Sequence, residues 1–289
     1  MILLMARNNL PGWRPALDAQ THRSFLDLTA FAHAVRLFVQ SAETLLQFSL
    51  ILLFSVSGSL SSLKAQTRTL TVAAASDLLP VEKDLTSAFQ MEYKISIRWV
   101  PGSSGTLARQ IRNGAPYDVF LSANYEFPSE LARSGHLRPD SLRTYALGRL
   151  GLYSKRSSFK TLPSLAGPGL VHLSIANPLH APYGALAREA LRKAGLWEQL
   201  GPKLVFGENV VQAFQLASSG NADAALVSWS LVHDKGGVPV DPKLYTPLRQ
   251  TGGATTESPA EASRFLDWLV GESAQSILKR YGFSPALRP

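Results

Sequence analysis

Short apolar runs alternate with amphipathic segments from residue 69 almost to the end of the chain. Apolar runs of about four to eight residues are typical of buried strands, whereas apolar positions three and four residues apart indicate helices. The first part of this region predicts a β-α-β-α-β-α order with short links, which favours a parallel sheet covered on both faces. The predicted elements are strand 70–75, helix 77–92, strand 95–100, helix 106–113, strand 117–122 and a helix near 126–134.

A second set of the same kind follows further along the chain. It comprises strand 170–176, helix 183–194, strand 203–206, helix 210–219, strand 222–227 and two closing helices over 260–270 and 274–280. Two extended segments, 145–153 and 243–249, belong to neither alternation, and we interpret them as crossings between two lobes. Such crossings form a hinge, and the cleft beside it is the natural ligand site. The predicted fold class is therefore α/β with two lobes, residues 66–146 plus 249–289 in lobe one and residues 147–248 in lobe two.

The N-terminal region carries the pattern of an export signal. Residues 45–56 are strongly apolar and residues 57–65 are small and polar, which predicts a signal peptide cleaved after Ala65, behind an atypically long N-terminal extension. Residues 1–65 would then be absent from the mature protein, which we expect in the periplasm. An uncleaved membrane anchor over 45–63 is the alternative. The serines and the glycine in the second half of that run favour cleavage.

Composition narrows the classes of function. The chain has 289 residues, no cysteine and a formal net charge of +8. Without cysteine an exported protein depends on its apolar core for stability, and it has no thiolate metal ligand and no cysteine to carry a lipid. Basic residues are scattered, with no run of five, which argues against nucleic-acid binding and favours a diffuse field that attracts small anions. The histidines show no paired spacing typical of a metal site.

Four predicted strands end in a turn that opens a helix. In lobe one these turns hold Ser76 and the pair Ser103 and Ser104; in lobe two they are residues 177–184 and the turn at Asn209. The start of a helix has unpaired N–H groups and a partial positive charge, and ligands of α/β sheets lie beyond the carboxyl ends of the strands. The pattern therefore predicts a tetrahedral oxyanion held by neutral donors.

Each of these residues also has a purely structural interpretation. Ser76 and Asn209 are good helix caps, residues 103–105 are equally a turn plus cap, Tyr183 is typical of packing, and Asp77 complements the dipole of a helix start. Spacing alone does not decide between the two interpretations. A serine hydrolase using Ser104 or Ser76 is a further alternative, although the motif G-x-S-x-G is absent and no histidine or aspartate partner is recognisable.

Five segments carry a family resemblance: LTVAAASDL, GSSGTLARQIRNGAPYDVFLSAN, HAPYGALAREAL, FGENVVQAF and KRYGF. They resemble the periplasmic molybdate-binding proteins of ABC transporters over nearly all of residues 70–283. The resemblance implies a two-lobed periplasmic-binding-protein fold of type II, each lobe a mixed, mostly parallel sheet flanked by helices. It implies a receptor, not an enzyme, that captures molybdate or tungstate and delivers it to an inner-membrane permease and its ATPase. We expect a monomer with no cofactor besides this ligand.

The resemblance also implies five ligand positions, at which molybdate is bound through its oxygens. Ser76 and Ser104 match the two serine ligands of the family, while Tyr183 and Val210 match positions that give a backbone N–H. Ser228 stands where the best-known members carry a tyrosine whose hydroxyl binds the anion. A serine is too short to reach as a tyrosine does, so we expect water or another backbone group to complete that contact.

Selectivity among tetrahedral anions is expected to depend on the size of the pocket, because all of these dianions share one hydrogen-bond geometry. Protonated phosphate would be rejected because the pocket lacks an acceptor for its proton. Three alternatives stay open at this point: a receptor for another oxyanion such as sulfate, an exported serine hydrolase, and the anion-sensing domain of a regulator. The export signal and the missing DNA-binding segment disfavour the last of these.

Overall fold

A computed structural model describes Arg36 and residues 68–286 of the chain. Internal contacts divide the protein into two units, Met1–Gln66 and Thr67–Pro289, and the fold below is that of the second unit. The predicted signal peptide over 1–65, with its cleavage after Ala65, lies outside the described residues apart from Arg36, and it stays a prediction. Within the described part of the chain, no helix combines the length and the apolar character needed to cross a membrane.

Ten strands and nine α-helices make up residues 68–286. The strands are β1 Thr69–Ala75, β2 Ser96–Gly102, β3 Val119–Ser122, β4 Arg143–Gly148, β5 Leu150–Tyr153, β6 Leu173–Ala176, β7 Leu204–Gly207, β8 Ala224–Ser228, β9 Val238–Pro239 and β10 Leu248–Ala254. The helices are α1 Glu82–Tyr93, α2 Ser104–Arg112, α3 Glu126–Arg133, α4 Pro182–Lys193, α5 Trp197–Leu200, α6 Val210–Ser219, α7 Trp229–Val232, α8 Ala260–Leu269 and α9 Glu272–Arg280. Short 3-10 turns occupy Ser76–Leu78, Pro139–Ser141, Pro163–Ala166, Gly201–Lys203 and Pro242–Leu244.

The strands form two five-stranded sheets of equivalent topology, ordered β2-β1-β3-β10-β4 in lobe one and β7-β6-β8-β5-β9 in lobe two. In each sheet the first three strands are parallel, the fourth is antiparallel to both of its neighbours, and four of the five strands therefore share one direction. The prediction of two mixed, mostly parallel sheets flanked by helices is confirmed. The reversed strand in each sheet, β5 or β10, is the one that the chain forms directly after crossing from the other lobe.

The two crossings differ in detail from their predictions. The segment 145–153 is not one long strand, because β4 ends at Gly148 and β5 begins at Leu150 in the other sheet, with Arg149 between them. The return segment 243–249 is mostly a turn, and the strand that follows, β10, continues to Ala254 between β3 and β4. The apolar pattern could not show these changes of sheet, since pairing partners lie far away in sequence. The exact lobe boundaries stay a prediction.

Both lobes have apolar cores, and the cores meet at the ends of the strands. In lobe one Val72 and Ala73 belong to separate clusters because successive residues of a strand point to opposite faces of the sheet. The core of lobe two includes Ala75 and Ala123, which lie at the ends of β1 and β3 in lobe one. The lobes therefore touch at the carboxyl edge of the first sheet, where the candidate site is found.

Candidate oxyanion-binding site

A small cavity of about 10 Å³ lies where the two lobes meet. Lobe one contributes the residues after β1, β2 and β3, and lobe two contributes the first turns of α4 and α6. None of the described residues that line the cavity is a lysine, arginine or histidine, so its wall carries no cationic side chain. The lining residues are Ala75, Ser76, Asp77, Gly102, Ser103, Ser104, Ala123, Ala181, Pro182, Tyr183 and Val210.

Ser76 is a buried wall residue and not a helix cap. It opens the 3-10 turn Ser76–Leu78, whose N-cap position is Ala75 and which no side chain caps. The predicted helix over 77–92 begins only at Glu82, so Ser76 cannot cap it. No described residue forms a hydrogen bond with the Ser76 hydroxyl, which is therefore free to donate to a ligand.

Ser103 and Ser104 have different roles. Ser103 is the N-cap of α2, since its Oγ accepts a hydrogen bond from the N–H of Thr106 at 3.4 Å. Ser104 is buried in the first turn, and its Oγ accepts a hydrogen bond from the N–H of Ala123 at 3.0 Å. A hydroxyl that accepts in this way keeps its own hydrogen for another acceptor. The cap expected from residues 103–105 is therefore Ser103, and Ser104 is held with a hydrogen available to an anion.

Lobe two offers backbone donors at the starts of two helices. Tyr183 follows Pro182, which has no N–H, so the N–H of Tyr183 is the first donor of α4, and it has no partner among the described residues. In α6 the Oδ1 of Asn209 accepts hydrogen bonds from Val211 and Gln212, both at 3.0 Å. This cap leaves the N–H of Val210 unpaired at the cavity, where the positive end of the helix favours an anion.

One acidic group, Asp77, also belongs to the wall. Its side chain is fully buried, its Oδ2 accepts a hydrogen bond from the Nε2 of Gln250 at 2.6 Å, and its Oδ1 has no partner among the described residues. Burial raises the pKa of Asp77 to about 7, against the opposing hydrogen bonds of Gln250 and Tyr183. The expectation that the pocket lacks an acceptor for protonated phosphate stays a prediction, since Asp77 lines the cavity while its Oδ2 is bonded to Gln250.

Ser228 is the one predicted ligand that the structure does not bring to the cavity wall. It ends β8 and caps α7, where its Oγ lies 2.7 Å from the Oγ of Ser230, which in turn donates to the backbone oxygen of Asp77 at 2.8 Å. The nearby Ser228 hydroxyl also lowers the pKa of Tyr183, although burial and Asp77 raise that pKa well above its ordinary value. The side chain is therefore used in contacts between protein groups.

Gln250 is the buried polar residue that sequence reasoning missed. It lies in β10, 173 positions from Asp77 and 67 from Tyr183, and it donates to both of their side chains. A single glutamine in the strand LRQTGGA gives no local signal of such a role, because the partners come together only when the chain has returned from lobe two.

A further set of contacts joins the lobes at the solvent-exposed edge of the cleft. The N–H of Gly105 donates to the backbone oxygen of His180 at 2.9 Å, and the Oγ of Ser103 lies 2.9 Å from the Nδ1 of the same histidine. An added Cβ at Gly105 would lie 2.7 Å from that oxygen, so only glycine permits the approach. Glu208 is 3.7 Å from the Nε2 of His180. Ser103, which the hydrolase alternative did not name, therefore has a histidine partner, whereas Ser76 and Ser104 have none among the described residues.

Comparison with known proteins agrees with this architecture. The family model described as bacterial extracellular solute-binding protein matches residues 70–284. The chain belongs to this family. Members of the bacterial extracellular solute-binding protein family serve as receptors of transporters, and the two lobes with a cleft between them are the expected form.

Individual members of the family resemble the chain over most of its length. It is 35% identical over 219 residues to the molybdate-binding protein ModA of Rhodobacter capsulatus, covering 73% of this chain and 86% of that protein. It is 36% identical over 230 residues to ModA of Azotobacter vinelandii, covering 76% and 91%. The solved structure of the periplasmic molybdate-binding protein of Azotobacter vinelandii superimposes with a TM-score of 0.72 at 31% identity, covering 76% of this chain and all of that one.

Proposed function

We propose that this protein is a periplasmic receptor that captures molybdate, and also tungstate, in the cleft between its lobes and delivers the anion to an ABC importer. The observation that carries the proposal is the convergence of four neutral donors from both lobes on one small cavity. These donors are the hydroxyls of Ser76 and Ser104 and the N–H groups of Tyr183 and Val210. The ligand is cargo held through its oxygens, and no resident cofactor is required.

Neutral donors suit a fully ionised tetrahedral anion. A hydrogen bond to a charged group contributes about 1.5–3 kcal/mol, and four of them in a dry cavity support micromolar or tighter binding after the cost of association. Hydrogen bonds without a cationic side chain also allow release, because the anion does not leave an unpaired buried charge behind. The names of the relatives from Rhodobacter and Azotobacter support molybdate as the anion.

The remaining parts of the proposal follow from the role of a receptor. Export through the predicted signal over 1–65 would bring a monomer to the periplasm, where a permease and its ATPase accept the closed, loaded form. N-terminal sequencing of the secreted protein is expected to begin near Gln66. A start far upstream would instead favour an uncleaved N-terminal segment.

Calorimetric titration with molybdate, tungstate, sulfate and phosphate is the test of the proposal. We expect molybdate and tungstate to bind with micromolar or tighter affinity, while sulfate at equal concentration gives no comparable heat, because a cavity adapted to the larger anion leaves long hydrogen bonds to sulfate. Equal affinity for sulfate would overturn molybdate as the specific ligand and leave a general oxyanion receptor.

A second candidate function, a serine hydrolase, is favoured by one observation, the approach of His180 and Glu208 to Ser103. Its geometry is poor for catalysis, since the Ser103 hydroxyl also bonds Thr106 Oγ1 at 2.9 Å and the Glu208 side chain is 63% exposed. A serine-reactive phosphonate is therefore expected to leave Ser103 unmodified. A covalent adduct on Ser103, lost in Ser103→Ala, would establish the hydrolase instead.

A further inference from the structure

A buried group of hydrogen bonds joins the lobes in addition to the contacts at the cleft edge. It consists of Asp77, Tyr183 and Gln250, which we call the hinge clamp. The cleft-edge contacts include the exposed Glu208, whereas Asp77 and Gln250 are fully buried and Tyr183 is 2% exposed. Water competes with exposed hydrogen bonds much more than with buried ones, so the hinge clamp is shielded from water in a way that the contact of Glu208 is not.

Gln250 is the centre of the hinge clamp. Its Nε2 donates to the Oδ2 of Asp77 at 2.6 Å and to the Oη of Tyr183 at 3.0 Å. A primary amide has two donor hydrogens, and these bonds use both of them. Asp77 directly follows Ser76, and Tyr183 carries one of the backbone donors of lobe two. One side chain therefore ties together the anion-facing segments of both lobes.

The hinge clamp lies against both crossings of the chain. Gln250 is in β10, the strand that returns from lobe two, and Gly148 is the last residue before the outward crossing. An added Cβ at Gly148 would lie 2.5 Å from the Oη of Tyr183 and 2.8 Å from the Nε2 of Gln250. Ser230 of lobe two also donates to the backbone oxygen of Asp77 at 2.8 Å. Opening of the cleft at this hinge separates the Tyr183 hydroxyl from Gln250, its hydrogen-bond partner in lobe one.

We propose that Asp77, Tyr183 and Gln250 are positioning residues for anion capture, which hold the lobes in the closed arrangement where the Ser76 hydroxyl and the Tyr183 N–H face one cavity. None of the three side chains needs to touch the anion for this role. Breaking the clamp leaves buried polar groups unpaired until water enters, so the clamp opposes opening. The role in anion capture rests on the proposed function, whereas the contacts that form the clamp do not.

The hydroxyl of Tyr183 can be removed without removing its backbone donor. In Tyr183→Phe we expect the dissociation rate of molybdate, followed by stopped-flow tryptophan fluorescence, to rise about tenfold. The association rate is expected to stay within about twofold, because the anion enters the open form. Tyr117→Phe is the matched control, since its hydroxyl bonds Gln110 within lobe one at 2.9 Å. A purely structural role of Tyr183 would lower the melting temperature and leave the dissociation rate unchanged.

Two further variants disturb the clamp at residues other than Tyr183. Gly148→Ala crowds the Tyr183 hydroxyl from the opposite side, and Gln250→Leu removes both amide donors. We expect each to raise the dissociation rate in the same way as Tyr183→Phe. Circular dichroism shows whether Gln250→Leu folds. If it does not fold, the dissociation rates of Gly148→Ala and Tyr183→Phe test the clamp.

Closure can also be measured without dependence on the identity of the anion. The chain has no cysteine, so Lys83→Cys in lobe one and Gln215→Cys in lobe two, both exposed, give one spin-label pair. Pulsed EPR distances are expected to show a larger open fraction in Tyr183→Phe than in the parent, both without anion and with saturating anion. Failure of the parent to bind molybdate would refute the proposed function alone. Unchanged distances and unchanged dissociation in Tyr183→Phe would refute the clamp.

Discussion

The two lobes present the same edge of the same kind of sheet to the cavity, yet they offer it different donors. In the proposed site, lobe one offers the side-chain hydroxyls of Ser76 and Ser104, whereas lobe two offers the backbone N–H groups of Tyr183 and Val210. A hydroxyl can be deleted by substituting one residue, but a backbone N–H can only be displaced. We therefore expect binding in lobe one to depend on which residue is present, and binding in lobe two to depend on where the helix starts are held.

The lobes also differ in charge, because Asp77, the only acidic residue among the described residues that line the cavity, comes from lobe one. Its pKa is about 7 in the folded protein and near the ordinary 3.8 in the unfolded chain, so the folded state binds more protons between these values. Stability from this group is therefore complete below about pH 4 and is lost as the pH rises through 7, by about 4 kcal/mol at most. Its neighbours that titrate are the buried phenols of Tyr145 and Tyr183, which stay neutral in this range.

The first prediction concerns Asp77→Asn, which keeps an acceptor for Gln250 but cannot ionise. The melting temperature of the variant relative to the parent is expected to rise steadily between pH 4 and pH 8. Calorimetric scans at several pH values measure this difference. Glu82, whose pKa burial also raises to about 7, is common to both proteins and cancels in the comparison. A difference that does not change with pH would contradict the buried, proton-binding carboxyl.

The second prediction is that Ser104→Ala weakens molybdate binding by about 1–3 kcal/mol, because it removes a donor to a desolvated anion. It also leaves the N–H of Ala123 without its partner, so the melting temperature is expected to fall. Titration calorimetry and thermal unfolding measure the two effects, with the exposed Ser134→Ala as control. Unchanged affinity would remove Ser104 from the site and leave it as a packing residue.

The third prediction separates Ser76 from Ser104. Ser76→Ala is expected to weaken molybdate binding about tenfold and to leave the melting temperature unchanged, since no described residue bonds the hydroxyl. The same two measurements apply. Loss of stability with unchanged affinity would give Ser76 a structural role in place of ligand binding.

The fourth prediction addresses the backbone donors of lobe two through Asn209. In Asn209→Ala the cap of α6 is lost, which costs about 1 kcal/mol of stability, and the affinity for molybdate is expected to fall a few-fold because Val210 is less firmly held. Asn209→Ser, which also caps helices, is expected to restore both. If stability falls while affinity does not, the position of the Val210 N–H does not depend on the cap.

Sequence patterns predicted those features of the fold that depend on residues close together in the sequence. The all-apolar run ending at Ala75 predicted a strand buried on both faces, and Asn209 at the head of an apolar helix predicted a cap, as the structure confirms. The alternation of strands and helices predicted two mostly parallel sheets. Four of the five ligand positions implied by the family resemblance, Ser228 being the exception, lie together at the cavity.

Only the tertiary structure decided which of these residues line the cavity and which form hydrogen bonds with other protein groups. It gave the cap of α2 to Ser103, joined Ser228 to Ser230 and Ser230 to the backbone oxygen of Asp77, and brought Gln250 to Asp77 and Tyr183. The physical reason is that strand propensity, capping and helix periodicity depend on neighbours in sequence. Burial of a carboxyl, pairing of a reversed strand and closure of a cleft depend instead on residues that the chain brings together only after crossing the hinge twice.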